Sequence, residues 1–330
     1  MFATDIVIQL EEDPSDSIAV PGAFLERRND GFLVSDASIP RVRSYDWQGR
    51  LRAAFGRYGD GPFEFRRVLG IVETPSGKIA VIGSGQAGLT YLTADLLPDT
   101  LVKLPGIPWG IEPLGPDLLV HMRLTADRAT DVSRFYRRPL LLHRISEQGV
   151  TWSAFRYPFV PIERPYWTPM TGFPFDVAGD SIYVSSSLRY PVAIFNGAGD
   201  SIGRIGFPAA SFRPVPVFEP GALSPGVYGL RMARMLEDLN TIERVVVVGS
   251  RLVVVHGRSD HTRPMPPLYT VHSSLDIYDR HTGTKLYEDI PLPASSRVMT
   301  GGRRHLYLLL NKDFPPWQIA KLRFREDMEP

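Results

Sequence analysis

The chain has 330 residues, of which 43% are hydrophobic, and its 37 basic and 36 acidic side chains leave a net charge of +1. This composition is typical of a folded globular protein, and the near-zero charge gives no reason to expect nucleic-acid binding. The absence of cysteine excludes disulfides, thiolate metal sites and cysteine nucleophiles. The 30 prolines exclude a mainly helical fold, and no apolar run is long enough to predict a transmembrane segment.

In chain order, the first clear feature is a repeated unit of short β-strands separated by turns. Its first copy spans residues 31–36, 41–49 and 51–56. The strands are rich in Val, Ile, Tyr and Phe and are bounded by Gly, Asp, Asn or Pro, which is typical of β-strands and their turns. Further copies lie at 77–83, 88–94 and 100–104, at 117–121, 140–143 and 150–153, at 180–185, 191–195 and 201–205, and at 251–255, 274–278 and 285–288.

Another short apolar segment precedes most copies, as at residues 70–73 and 244–248. Four strands per repeat predict an all-β fold, a β-propeller of four-stranded blades. We predict one domain over residues 1–330 with six blades. The predicted blades span residues 18–56, 66–105, 107–156, 168–206, 241–293 and 294–325, with residues 4–10 added to the last.

The two ends of the chain predict how the ring closes. The last copy, at residues 304–310 and 318–324, lacks a fourth strand, whereas residues 4–10 form a strand without a blade of their own. We predict that the N-terminal strand joins the last blade and closes the ring, because an open sheet edge invites aggregation.

One segment predicts a helix, residues 230–239, inside an insertion at 207–240 between blades 4 and 5. It combines strong helix formers with a stripe formed by Met232, Met235 and Leu239. We expect this stripe to pack on the protein's own surface; a partner-binding helix is the alternative. Arg231 and Arg234 are three residues apart and share another face.

A resemblance to a known family rests on residues 41–49, RVRSYDWQG, and on Phe55-Gly-Arg-Tyr-Gly-Asp-Gly-Pro-Phe-Glu-Phe65. Together they resemble a strand and the F-G-x-x-G-x-G-P-G-E-F blade junction of bacterial six-bladed β-propellers of the NHL-like type. Phe63 stands where the family usually has glycine, and Pro62-Phe63 predicts a type I rather than a type II turn.

The family resemblance also bears on the location of the protein. Family members are commonly exported or lipid-anchored, so the resemblance implies a periplasmic, secreted or lipid-anchored protein. The N-terminus itself shows no signal peptide, so a cytoplasmic location stays open.

Long loops predict where a ligand or partner binds. In a propeller, the loops between second and third strands and those between blades lie on one face, and the long insertions here are of these two kinds. Arginine binds carboxylates or phosphates and aromatic rings supply stacking surfaces, although the arginines could instead pair with loop carboxylates. The candidate binding residues are Arg123, Tyr166, Trp167, Arg231, Arg234, His256, Arg258 and His261.

The densest histidine group is His256, Asp260 and His261. A zinc site needs three or four converging ligands at a recognised spacing, which this segment does not offer. We therefore expect no metal and no cofactor. His121 and His143 lie on adjacent strands and are expected to be packed inside their blade.

These observations favour a non-catalytic binding or scaffold protein that binds a partner protein or a small anionic or aromatic ligand. The first alternative is a hydrolase or lyase similar to six-bladed lactonases, which hold a cation with Glu, Asn and Asp near the starts of the innermost strands. At those places the chain offers only Glu243. The second alternative is an accessory subunit docked in a larger complex.

Overall fold

The structure, a computed structural model, describes residues 1–12, 17–27, 31–84, 88–124, 140–146, 149–156, 174–186, 189–214, 239–259, 270–302, 304–311 and 315–325. In these residues the regular elements are β-strands, which form six four-stranded antiparallel sheets. Each sheet is a blade, so the predicted six-bladed β-propeller of four-stranded blades is confirmed.

The first three blades follow one another along the chain, each with its strands in sequence order. Blade 1 is formed by β2 (Pro21–Glu26), β3 (Phe32–Asp36), β4 (Val42–Tyr45) and β5 (Leu51–Phe55), blade 2 by β6 (Arg67–Glu73), β7 (Ile79–Ser84), β8 (Gly88–Leu92) and β9 (Pro98–Lys103), and blade 3 by β10 (Gly106–Leu114), β11 (Asp117–Leu124), β12 (Leu140–Ser146) and β13 (Gly149–Arg156).

Blades 4 and 5 repeat this order, and blade 6 combines both ends of the chain. Blade 4 is formed by β14 (Phe175–Ala178), β15 (Ser181–Ser186), β16 (Arg189–Asn196) and β17 (Ser201–Ile205), blade 5 by β18 (Asn240–Val248), β19 (Arg251–Ser259), β20 (Thr270–Asp279) and β21 (Lys285–Pro291), and blade 6 by β22 (Arg297–Gly301), β23 (Leu306–Leu309), β24 (Gln318–Phe324) and β1 (Phe2–Gln9).

The chain divides into two compact units. One comprises Met1–Phe135, Pro139–Arg156 and Ser295–Pro330 and holds blades 1, 2, 3 and 6. The other comprises Tyr136–Arg138 and Tyr157–Ala294 and holds blades 4 and 5. A single domain over residues 1–330 stays a prediction.

The N-terminal strand is the fourth strand of blade 6. β1 pairs with β24 in antiparallel register from Phe2 opposite Phe324 to Gln9 opposite Gln318. Ile8 is buried, in the core cluster that also holds Trp317. Trp317 donates its indole N–H to the carbonyl of Ile18, 2.8 Å away, next to blade 1. Closure of the whole ring by this strand stays a prediction.

The predicted helix lies almost entirely outside the described residues. Residues 215–238 are not described, and residue 239 is outside regular structure. The helix-bearing insertion between blades 4 and 5 therefore stays a prediction.

The junction that carries the family resemblance adopts a turn that differs from the predicted one. Phe63 has φ of 60°, and the Glu64 N–H donates to the Gly61 carbonyl at 3.1 Å. A positive φ at the third turn residue excludes the predicted type I turn, which was wrong. The Glu64 side chain accounts for this, because it accepts the Gly61 N–H at 2.8 Å and pairs with Arg57 at 2.7 Å, which holds the loop in place.

The backbone of Phe63 leads to a first prediction. Because a left-handed residue is strained when it carries a Cβ, Phe63→Gly should be more stable than Phe63→Ala by about 1 kcal/mol. Both variants lose the same half-buried ring of Phe63, so the difference between them reports on the backbone alone. Urea unfolding of the two variants measures the difference.

Leu101, in the outer strand β9, supplies the control pair. There Leu101→Ala should be more stable than Leu101→Gly by about 0.5–1 kcal/mol, because glycine weakens a strand. An Ala variant at 63 as stable as the Gly variant would show that this turn carries no backbone strain.

Candidate functional site

The eight predicted site residues fall into three groups. The side chains of His256 and Arg258 are described, and Arg123 lies in β11 with only its backbone described. Both described side chains are on β19, where His256 is buried and Arg258 is exposed. Tyr166, Trp167, Arg231, Arg234 and His261 lie outside the described residues.

His256 lies inside the second unit, near the end of β19. Its strand neighbours are Ile242 on β18 and Ser274 on β20. The ring is 1% exposed and packs edge-on against Phe212, with the ring centres 5.5 Å apart. Among the described residues, neither ring nitrogen has a hydrogen-bond partner at good geometry. A buried imidazole without a well-formed hydrogen bond is unusual, because buried polar atoms are normally hydrogen-bonded.

Two carboxylates face the Nε2 atom of His256. Asp276 on β20 is fully buried, and its Oδ1 lies 3.5 Å from Nε2. Asp289 on β21 is 31% exposed at its side chain, and its Oδ1 lies 3.6 Å from Nε2. These distances are too long for good hydrogen bonds. The nitrogen and one oxygen of each carboxylate all lie within 4.8 Å of one another.

The other oxygen of Asp276 is held by a separate set of groups. Its Oδ2 accepts the Tyr190 hydroxyl at 2.9 Å, and Lys285 Nζ lies 3.7 Å away. The Tyr278 hydroxyl oxygen is 3.3 Å from Oδ2, but it donates its proton over the shorter distance of 2.8 Å to the Phe207 carbonyl. The Asp289 N–H donates to Oδ1 at 3.0 Å. The two oxygens of Asp276 therefore have different surroundings, since Oδ2 faces Tyr190 and Lys285 and Oδ1 faces His256.

The electrostatics of the cluster keep Asp276 ionised. Burial acts to raise its pKa, but His256 and the Asp289 N–H act in the opposite direction, and the net result is a lowered pKa. Burial is the main cause of the raised pKa of Tyr190 and Tyr278. Both tyrosines are thus neutral, and Tyr190 donates its hydroxyl proton to an anionic carboxylate.

Lys285 and Ser211 complete the surroundings of the cluster. Lys285 is nearly buried, lies 4.2 Å above the centre of the Phe207 ring and is 3.5 Å from the Glu288 carboxylate. The Ser211 hydroxyl donates to Asp289 Oδ1 at 2.5 Å. Asp289 is the solvent-accessible edge of an otherwise buried group.

His256 was predicted from the sequence, but Asp276 and Asp289 were not. The sequence neighbours of His256 are Asp260 and His261, whereas the carboxylates come from the next two strands of the blade. A usable signal was present in β20, because Ser274, Asp276 and Tyr278 alternate with the apolar Leu275 and Ile277. Here both faces of the strand are buried, so alternation places an aspartate inside.

The other candidates behave differently. Glu243 on β18 is half-buried, and its Oε2 accepts the Ser273 hydroxyl at 3.4 Å. His143 is fully buried and its Nδ1 lies 2.7 Å from the Ser153 hydroxyl, so it is packed and bonded inside blade 3. In the part of the chain that the structure describes, His256, Asp276 and Asp289 are the group whose ligand atoms converge as a metal site requires.

Comparison with known proteins supports the fold. No protein-family profile matches the chain, and no curated protein matches it. A protein of Bacteroides fragilis that its name describes as exported is 12% identical, with a TM-score of 0.69 over 98% of this chain and 95% of that one. A member of the DUF4221 family from Bacteroides vulgatus is 11% identical, with a TM-score of 0.65 over 98% of both chains.

A third similar structure is that of an enzyme variant. It is a catalytically inactive form of virginiamycin B lyase from Staphylococcus aureus, solved with quinupristin, and is 11% identical, with a TM-score of 0.51 over 98% of this chain and 100% of that one. At these identities the likenesses show the fold alone. The described residues include no helix long and apolar enough to cross a membrane.

Proposed function

We propose that this protein is a non-catalytic binding or scaffold protein. It binds a partner protein, or a small anionic or aromatic ligand, through the end of its blades from which the long connections leave. We further propose that it acts outside the cytoplasm, for which the likeness to a protein named as exported is the support.

The unequal length of the connections is the observation that carries this proposal. In blades 4 and 5 the first and second strands are joined by tight turns, from Ala178 to Ser181 and from Val248 to Arg251. The long connections follow β17, at Ile205, and β19, at Ser259. Because the strands are antiparallel, within a blade the second-to-third connection and the exit to the next blade leave from the same end.

At the short-turn end of blade 5, a side chain is bonded to backbone groups of the same turn. The Asp279 carboxylate accepts the N–H groups of His281 and Thr282, at 3.0 and 2.9 Å, and closes the turn. At the other end Arg258 is exposed beside the long connection. An exposed guanidinium on a rigid strand suits a carboxylate or phosphate of a partner, whereas the closed turn offers few free donors.

An enzyme similar to the lyases is the second candidate function. The observation that favours it is the buried imidazole of His256 beside two carboxylates, a combination that general acid–base chemistry uses. The first candidate is preferred because, of these three groups, His256 and Asp276 are buried and only Asp289 reaches solvent.

Site-specific photo-crosslinking in cells that produce the full chain tests the binding proposal. A photoreactive residue replaces Arg258 at the long-loop end, and the matched control replaces His281, which is exposed in the short turn of the same blade. We expect a crosslinked product from position 258 and none from 281, with mass spectrometry identifying whether it is a protein or a small molecule. Equal products at both positions, or products at 281 alone, would contradict the proposal.

A further inference from the structure

Burial of the His256 imidazole costs free energy that its described neighbours do not offset. Both ring nitrogens are buried without a well-formed hydrogen bond from the described part of the chain, which destabilises the folded state unless something else satisfies them. Nε2 does not face apolar atoms but points at Asp276 and Asp289. A positive group bound by Nε2 and by both carboxylates, either a metal ion or a proton, would satisfy this nitrogen.

We propose that His256, Asp276 and Asp289 bind a divalent transition-metal ion of the Zn²⁺ type. Bonds of about 2.0–2.1 Å to a tetrahedral zinc ion place neighbouring ligand atoms about 3.3 Å apart. The observed separations from Nε2, 3.5 Å to Asp276 and 3.6 Å to Asp289, are close to that spacing. The site goes beyond the proposed binding function and does not depend on it.

The charges around the cluster leave room for a cation. Asp276, Asp289 and Glu288 are acidic, and Lys285 is the cation that lies within ion-pair distance of Asp276 and Glu288. Lys285 lies near Oδ2 of Asp276, so it does not occupy the Oδ1 position that faces His256. One nitrogen and two carboxylate oxygens are ligands that suit Zn²⁺, Co²⁺ or Mn²⁺ rather than a soft ion such as Cu⁺.

Outer groups already orient both carboxylates, as in protein metal sites. Tyr190 donates to the far oxygen of Asp276, and Ser211 donates to Oδ1 of Asp289. The partial exposure of Asp289 gives the ion a route from solvent and leaves a fourth position for water.

A proton could take the place of the metal. Protonated His256 would then form an ion pair with both carboxylates, and the cluster would be purely structural. The metal and the proton lead to different results. Only the metal site binds one metal ion per chain, and only the metal site loses that ion when one carboxylate becomes an amide.

Cobalt titration of the full-length protein, after removal of metal with a chelator, tests the site. We expect one equivalent of Co²⁺ to give the visible absorption of a low-symmetry nitrogen–oxygen site, and one equivalent of Zn²⁺ to remove it. Asp289→Asn should weaken Co²⁺ and Zn²⁺ binding by more than about 100-fold, because loss of a charged ligand costs more than the roughly 10–100-fold that loss of a group behind the ligands costs. Asn tolerates the φ of 53° at this position, so this variant should fold.

Glu288→Gln is the matched control, since it removes the same charge from the neighbouring residue. It should change metal affinity by less than about threefold. No stoichiometric Co²⁺ or Zn²⁺ binding by the parent protein, or equal affinity of the Asp289→Asn variant, would overturn the proposal. The stoichiometry of metal binding by the parent protein tests the site even if a variant fails to fold. Stoichiometric binding would overturn the expectation from the sequence that the protein holds no metal.

Discussion

Deletion of residues 1–10 is expected to lower the free energy of unfolding by more than about 5 kcal/mol and to make the protein aggregate. The deletion removes Ile8 and Leu10 from a core cluster, and loss of a buried aliphatic side chain costs about 2–5 kcal/mol. It also removes the seven residue pairs that join β1 to β24 and leaves β24 as an open edge. A loss of this size approaches the whole stability of an ordinary domain.

Thermal unfolding and light scattering of the truncated protein measure this effect. The control is the double variant Ile6→Thr, Val7→Thr, in which both side chains are exposed on β1. It should stay within about 0.5 kcal/mol of the parent, because exposed substitutions rarely matter. A truncated protein that melts with the parent would show that β1 is not a structural part of blade 6.

Asp36→Ala is expected to lower the free energy of unfolding by about 3–5 kcal/mol, as breaking a buried ion pair does. Asp36 and Arg43 are both fully buried, and their charged atoms are 3.7 Å apart. The carboxylate also accepts backbone N–H groups of Ala19 at 2.7 Å and Ser38 at 2.8 Å. The variant leaves a buried guanidinium and several backbone N–H groups without this acceptor.

A second substitution separates the charge from the hydrogen bonds. Adding Arg43→Met to Asp36→Ala should recover part of the lost stability, because the uncompensated charge is gone. Asp36→Asn should lie between the parent and Asp36→Ala, since the amide oxygen still accepts N–H groups. Urea unfolding measures all three variants. If Asp36→Ala loses less than about 1 kcal/mol, the pair is not a structural element of blade 1.

The blades could be predicted because their signal is local. Runs such as residues 77–83 and 251–255 combine β-branched residues with glycine or aspartate turns, and the same order recurs along the chain. The structure places β7 and β19 there. The assignment of β1 to the last blade required only a count of strands, and the pairing of β1 with β24 agrees with it.

The turn at Phe63 could not be predicted in the same way. Residue preferences favour a type I turn for Pro62-Phe63, but the bonds of Glu64 to Gly61 and Arg57 fix the loop. Contacts of this kind override local preference when their sum exceeds about 1 kcal/mol, the usual strain of a left-handed residue.

The candidate site was missed because its residues are close only after the blade has folded. One pattern does connect it with the other blades. Four third strands place a buried polar residue opposite a buried valine of the second strand, at the same register. These pairs are Val34–Arg43, Val81–Thr90, Val120–His143 and Val254–Asp276.

The partners of these polar residues differ from blade to blade. In blade 1 Arg43 pairs with Asp36, and in blade 3 His143 contacts Ser153. In blade 5 Asp276 is well paired, but His256 beside it has no hydrogen bond from the described residues. A repeated structural position has therefore acquired, in blade 5, a group of side chains that packing alone does not explain.

A structure of the complex trapped by crosslinking from position 258 would test whether the protein binds through the long-loop end of its blades. We predict that the bound molecule covers the end of β19 at Ser259 and the start of β20 at Thr270, where the long connection begins and ends. A bound molecule that lies instead over the short turn at Asp279, with Ser259 and Thr270 uncovered, would contradict it.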